Sequence, residues 1–270
     1  MTKSQLMELV AVLKDALRPA YRSLLATLHA GSRCRCNLCG KSFSRMKPPI
    51  GVHSDGTTFK RTDGGAGNCW KCNSYPRVRA IWHWLENDFK IGQRFDLSLL
   101  HIAPEEQLAQ KLRIMPGIHY TAVDKFTPGY HYADYVMHAD LLELPFQDET
   151  FDMVICNHVL EHIKDDVKAM AELYRLLKPG GIAIVMTPMD LSLEHSIEEG
   201  PDEVLSDAER EKRFGQYDHV RIYGMDYFER LRQVGFTVDR KKMPDNVVNE
   251  LELDAEQDVV IATKGPVEIL

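Results

Sequence analysis

The chain has 270 residues, 44% of them hydrophobic and 27% charged, with a formal net charge of −7. That length buries a sizeable core in one large domain, or in one large and one small. No apolar run reaches the ~20 residues of a membrane span. The opening residues carry acids at amphipathic spacing, unlike a secretory leader, so a cytoplasmic protein without membrane partners is expected.

The periodicity of Leu6, Leu9, Val10, Leu13 and Leu17 predicts a helix over 4–28, with Ser4 as N-cap and a kink or break at Pro19. Residues 31–76 are rich in Gly, Ser, Asn, Pro and Cys and poor in core material, so this segment needs a staple. Between 31 and 80, ten Lys or Arg face only Asp55 and Asp63, leaving the rest of the chain acidic. Such a basic module could grip nucleic acid or an anionic substrate, or dock on its own acidic body.

Cysteine usage supplies the staple. Cys36-x2-Cys39 and Cys69-x2-Cys72 are two matched thiolate pairs, and each CxxC turn presents two sulfurs to one ion. Four soft ligands leave no open position, which favours structural Zn2+ in a zinc-ribbon-like module. Gly40 suits the tight turn after Cys39. Cys34 either replaces Cys36 or stays a spare thiol, and Cys156 stands alone in an apolar strand.

A second helix, "RVRAIWHWLENDF", leads into the rest. Strand and helix patterns then alternate. "RFDLSLLHIA" reads as a buried strand, "PEEQLAQKLRI" as a helix opening on Pro104, and "IHYTAVDKF" as a strand. "YVMHADLLELPF" contains a short strand and "FDMVICNHVL" another. Glu161 and His162 begin a helical stretch that continues through "DDVKAMAELYRLL" and closes at "KPGG", before the strand "IAIVMTP". "MDYFERLRQVGF" is a helix, and "TVDRKKM" and "QDVVIATK" are the last strands. This order predicts an α/β fold, a doubly wound and mostly parallel sheet of about seven strands with a crevice at the strands' carboxyl ends. The expected divisions are 1–30 helical, 31–76 zinc-binding and 77–270 the main domain, with 190–224 an insertion over the substrate.

The first strand of the main domain ends "LHIAPEEQL", with no glycine for a pyrophosphate to approach, which disfavours a dinucleotide. Asp124 ends the second strand, where a carboxylate can accept both ribose hydroxyls. Asp140 could read an adenine amino group, and Asn157 and His158 fall at the end of the fourth strand.

"DLLELPFQDETFDMVICNHVLEHI…MAELYRLLKPGGIAIVMTP" resembles the class I S-adenosylmethionine-dependent methyltransferases, in the subgroup called methyltransferase type 11. The likeness runs from about 94 to 188 and is strongest over 139–188. "GQYDHVRIYGMDYFERLRQVGF" is similar to a narrower subgroup with an N-terminal cysteine module and "HIAPE" at the first strand. The resemblance implies a Rossmann-like sheet with S-adenosyl-L-methionine as cofactor. It puts Asp124 and Lys125 at the ribose, Asp140 and Leu141 around adenine, and Asn157 and His158 beside the methionine part. His101, Ala103 and Glu105 occupy the loop that normally carries GxGxG, so the methionine end must be held differently, by His101 or by the helix N-terminus after Pro104.

Methyl transfer to a hydroxyl or amine needs a base, and histidine titrates in the right range. His158, His162, His195 and His219 are candidates, His219 leading, with Arg221 as anchor for a polar or anionic acceptor. The acceptor expected is a small molecule or a sugar-containing metabolite. Two alternatives stand beside it: RNA gripped by the basic module, and a silent binding protein that keeps the fold.

Overall fold

The computed structural model describes residues 3–52, 58–60, 66–127, 130–254 and 258–265. Helix α1 (Lys3–Leu28) is followed by β1 (Ala30–Arg35), β2 (Ser42–Phe43), β3 (Ile50–Val52), β4 (Thr58–Lys60) and α2 (Pro76–Asn87). Then come β5 (Leu97–Ile102), α3 (Glu106–Leu112), β6 (Ile118–Asp124), β7 (Val136–His138), β8 (Phe151–Cys156), α4 (Asp166–Leu176) and β9 (Leu177–Ile184). The chain closes with β10 (Ile197–Glu198), α5 (Asp207–Phe214), β11 (Arg221–Ile222), α6 (Tyr227–Gln233), β12 (Phe236–Lys242), α7 (Asp245–Leu251) and β13 (Asp258–Lys264).

Two compact units emerge. Met1–Ile50, Lys60–His83 and Met243–Gln257 form the first; Gly51–Phe59, Trp84–Lys242 and Asp258–Leu270 form the second. The division therefore falls at His83, inside α2, and not at residue 76. Residues 243–257, expected inside the main domain, belong with the cysteine module. Arg79 explains this. Its fully buried guanidinium donates to the carbonyls of Gly67, Ser74, Leu251 and Glu252 at 2.7–2.9 Å. Met46 gives its amide to the Glu252 carboxylate, and Arg35 pairs with Glu250. A segment so bound follows its partners, whatever its place in the sequence.

Helix α1 runs through Pro19 without a break, so of the expected kink or split the split does not occur. A proline removes one amide from the helical ladder, and Ser23 Oγ donates to the Pro19 carbonyl at 2.7 Å in the turn that follows.

In the second unit a seven-stranded sheet runs β12-β13-β9-β8-β5-β6-β7. β9, β8, β5, β6 and β7 pair in parallel, and β13 lies antiparallel between β12 and β9. Parallel strands covered on both faces are largely apolar, as Leu99, Leu100, Met153, Val154 and Ile155 of β5 and β8 are, with His101 a buried polar exception in β5. The "KPGG" break lies inside β9: register jumps from Phe151↔Leu177 to Met153↔Ile182, so 178–181 bulge outward. Gly180 takes φ 77°, and a Cβ on Gly181 would meet the Lys178 carbonyl oxygen at 2.9 Å. No helix among the described residues is long and apolar enough to cross a membrane.

Candidate functional site

Strand register brings the crevice residues to one level. Ile102 pairs with Val123 on one side and Cys156 on the other, so Ala103, Asp124 and Asn157 each lie one step beyond the paired ends. Their backbones then turn away. Ala103 adopts φ 47° and His158 φ 52°, left-handed conformations that are costly for residues with a Cβ. Ala103 thus has the backbone a glycine would relax into.

Asp124 is half-buried. Burial raises its pKa, opposed by a hydrogen bond from the Lys125 amide. Asn157 is buried; its Oδ1 accepts the Met186 amide at 3.3 Å, while its Nδ2 has no partner among the described residues. A buried amide donor without a partner costs about 1–3 kcal/mol and marks a place for a ligand acceptor. Asp140 is held by Lys125 Nζ at 2.7 Å and by the Leu142 amide at 3.0 Å, and the Lys125 hydrogen bond lowers its pKa. Leu141 is buried. Phe126, which the sequence reading passed over, stacks on Tyr132 at 4.2 Å and lies 5.1 Å from His138. Its signal was only its place two residues after Asp124.

His101 is fully buried, with Nδ1 3.0 Å from the Tyr120 hydroxyl and Nε2 3.0 Å from Glu105 Oε2. A carboxylate only accepts, so Nε2 donates to Glu105. Both nitrogens are spent within the protein, so His101 orients Glu105, the N-cap residue of α3, instead of reaching a ligand itself.

The turn after β8 carries the densest polar chemistry. Glu161 and His162 lie in a 3-10 turn (Leu160–His162), while α4 begins later, at Asp166, where the Asp165 carboxylate accepts the Lys168 amide. The reading of Glu161 and His162 as a helix start is thus corrected, while the helix expected over "DDVKAMAELYRLL" stands in place with its cap at Asp165. Glu161 is 1% exposed. Its Oε2 accepts from Thr187 Oγ1 at 3.0 Å, and its Oε1 is 3.3 Å from His158 Nδ1. Burial alone would raise its pKa, but His158 and His162 overcome that and hold it down to about 2.

The 190–224 segment folds back onto this turn. Val220 donates to the Glu161 carbonyl at 2.9 Å, and His162 Nδ1 is 3.1 Å from the Asp218 carbonyl. His219 packs edge-on to His162, ring centroids 4.8 Å apart, and burial lowers its pKa. His195 is exposed. The expected role of Arg221 as acceptor anchor is corrected. It is 3% exposed and spends its guanidinium on the carbonyls of Leu160, Ile163 and Lys164 and on Glu198. Behind it Asp166 accepts from Tyr223 and pairs with Arg230. Arg221 clamps the turn with four of its five N–H donors.

In the first unit, the sulfurs of Cys36, Cys39, Cys69 and Cys72 lie within 4.8 Å of one another. Cys36–Cys72 is 3.6 Å and Cys39–Cys69 is 3.7 Å. Four sulfurs about 2.3 Å from one tetrahedral ion stand about 3.8 Å apart. Two alike turns build the set: the Gly40 amide donates to the Cys36 carbonyl and the Asn73 amide to the Cys69 carbonyl, at φ 72° and 64°. Cys34 lies outside it. It is buried, donates to the Phe43 carbonyl, and has its pKa pushed up to about 12 by burial first.

Residues 107–185 match the family model described as "Methyltransferase domain". A "Probable S-adenosylmethionine-dependent methyltransferase" of Mycolicibacterium smegmatis is 34% identical over 85 residues, 30% of this chain and 32% of that protein. A demethylmenaquinone methyltransferase of Staphylococcus aureus is 39% identical over 51 residues, 19% of this chain and 21% of that protein. A solved structure, phosphoethanolamine N-methyltransferase 2 of Haemonchus contortus in complex with S-adenosyl-L-methionine, aligns with TM-score 0.47 and 17% identity, over 72% of this chain and 53% of that one. The chain therefore spans about a third of the first curated relative and about a fifth of the second. The stretch that carries Asp124, Asp140, Asn157 and Glu161 is methyltransferase-like in sequence and lies at the carboxyl ends of the parallel strands.

Proposed function

We propose that this chain is an S-adenosylmethionine-dependent methyltransferase acting on a small-molecule or sugar-containing acceptor. The observation that carries the reading is the level at which Asp124 and Asn157 stand inside the methyltransferase-like stretch. Asp124 offers a half-buried carboxylate to the ribose hydroxyls. Asn157 Nδ2 offers a donor with no partner among the described residues. These donors and acceptors suit S-adenosylmethionine, which supplies a methyl group from its sulfonium when bound. Phe126 and Leu141 provide apolar surface for the base, with Asp140 and Lys125 at its rim.

The acceptor side is the turn of His158, Glu161, His162 and His219. This group can orient an acceptor hydroxyl or amine and take up its proton. Arg221 holds that geometry by pinning the 160–164 backbone. In the first unit, the four thiols of Cys36, Cys39, Cys69 and Cys72 suit structural Zn2+. The buried Arg79 cation offsets the negative charge that four thiolates on one ion would bring.

The reading is tested by incubating the intact protein with S-adenosylmethionine labelled in its methyl group and a cell extract. Label in the small-molecule fraction, absent with Asp124→Ala, supports it. Label only in RNA shifts the acceptor class, and label in neither contradicts transfer.

A further inference from the structure

We propose that Glu161, His162 and His219 form a binding site for a divalent transition-metal ion, separate from the four-cysteine set. One ligand atom each from Glu161, His162 and His219 lie within 4.8 Å of one another. His158 Nδ1 stands beside the set, 3.3 Å from Glu161 Oε1. Ligands about 2.1 Å from a common ion stand about 3.4 Å apart in a tetrahedron and up to about 4.2 Å across an octahedron. Closing the set needs less than an ångström of side-chain adjustment beyond the wider limit.

The surroundings prepare these atoms for an ion. His162 Nδ1 faces the Asp218 carbonyl at 3.1 Å, and a carbonyl only accepts, so that nitrogen carries the hydrogen. The lone pair is then on Nε2. A ring nitrogen of His219 is likewise engaged by the Phe214 carbonyl. Backbone carbonyls that fix the far nitrogen of each imidazole are the usual second layer of a histidine metal site. Glu161 is 1% exposed, and among the described residues no Lys or Arg pairs with it. A buried carboxylate needs a cation beside it. Its Oε2 is fixed by Thr187, which leaves Oε1 aimed at the imidazoles. The Val220–Glu161 backbone bond and the Arg221 clamp hold the two chain segments together.

Two imidazoles and one carboxylate favour Zn2+, Co2+ or Ni2+ over Mg2+ or Ca2+. With an ion in place, His219 is a ligand and not a free base, and an oxygen of the acceptor can occupy an open coordination position. That use rests on the methyltransferase reading; binding of the ion does not.

The test is a Co2+ titration of the full chain after its cysteine site has been filled with Zn2+. One equivalent of Co2+ should bind with visible d–d absorption and without the near-ultraviolet thiolate charge-transfer bands. Glu161→Gln and His219→Ala should weaken it at least tenfold, as should the half-exposed His162→Ala, which places the least demand on folding. His119→Ala, in an exposed side chain elsewhere, should leave it unchanged. A Co2+-dependent rise in melting temperature, absent from the variants, gives an independent reading. No Co2+ bound, or Co2+ retained by all three variants, overturns the proposal. S-adenosylmethionine binding on the same samples separates the outcomes: cofactor bound without Co2+ sinks this site alone, and Co2+ bound without cofactor sinks the function alone.

Discussion

The Val220 amide donates to the Glu161 carbonyl at 2.9 Å, and that bond sets His219 beside His162 although more than fifty residues separate them. The insertion after β9 and the turn after β8 thereby become one site. Arg221, next but one to His219, reinforces the junction from behind. Removing it tests how rigidly the site is held.

Arg221→Met should cost about 3–5 kcal/mol, because it strands the carbonyls of Leu160, Ile163 and Lys164 and the partly buried Glu198. Denaturant melts should show a lower midpoint. A surface anchor for substrate would instead leave the midpoint unchanged.

Ala103→Gly should stabilise the protein modestly, by about 0.5 kcal/mol. The φ of 47° costs an L-residue about 1–2 kcal/mol, and the extra freedom glycine gives the unfolded chain takes back about 0.4–1 kcal/mol. Thermal melts decide the sign. A loss of stability would mean that the alanine methyl packs favourably enough to outweigh the strain.

Cys36→Ser should abolish retention of one Zn2+ per chain and lower the melting temperature, whereas Cys34→Ser should keep the ion. Metal analysis after dialysis against a mild chelator separates the two. Cys34 lies outside the four-sulfur set and is held at the Phe43 carbonyl.

Glu161 gives a pH prediction for the metal-free protein. Its folded pKa is about 2 against an ordinary 4.5. The depressed value means the group contributes stability that is complete above pH 4.5 and fades as pH falls toward 2, on the order of 3 kcal/mol in all. Urea midpoints between pH 7 and 2.5 should fall more steeply for the native protein than for Glu161→Gln. Parallel curves would contradict the pairing with His158 and His162.

The sheet was legible because its signals are local. Apolar runs broken by amphipathic segments mark β5, β6, β8 and β9, although β8 ends four residues before the expected run does and β9 begins five residues before "IAIVMTP". The two CxxC turns were equally plain. What escaped were relationships between distant backbone groups and side chains. Arg79 read as one charge of the basic module and Arg221 as an acceptor anchor, since nothing in the sequence marks the carbonyls they bind. Helix α7 was missed because only Val247 and Leu251 of its residues are buried, too few apolar positions to show a period. His101 looked like a ligand-facing residue at a strand end, and its partner Glu105 four residues later was the unused clue.

The most direct measurement is a calorimetric titration of the zinc-loaded protein with S-adenosylmethionine and S-adenosylhomocysteine, beside Asp124→Ala. Micromolar binding of both, weakened at least tenfold in the variant, is the predicted result. No binding to the intact protein, or equal binding to the variant, would contradict a cofactor site at the end of β6.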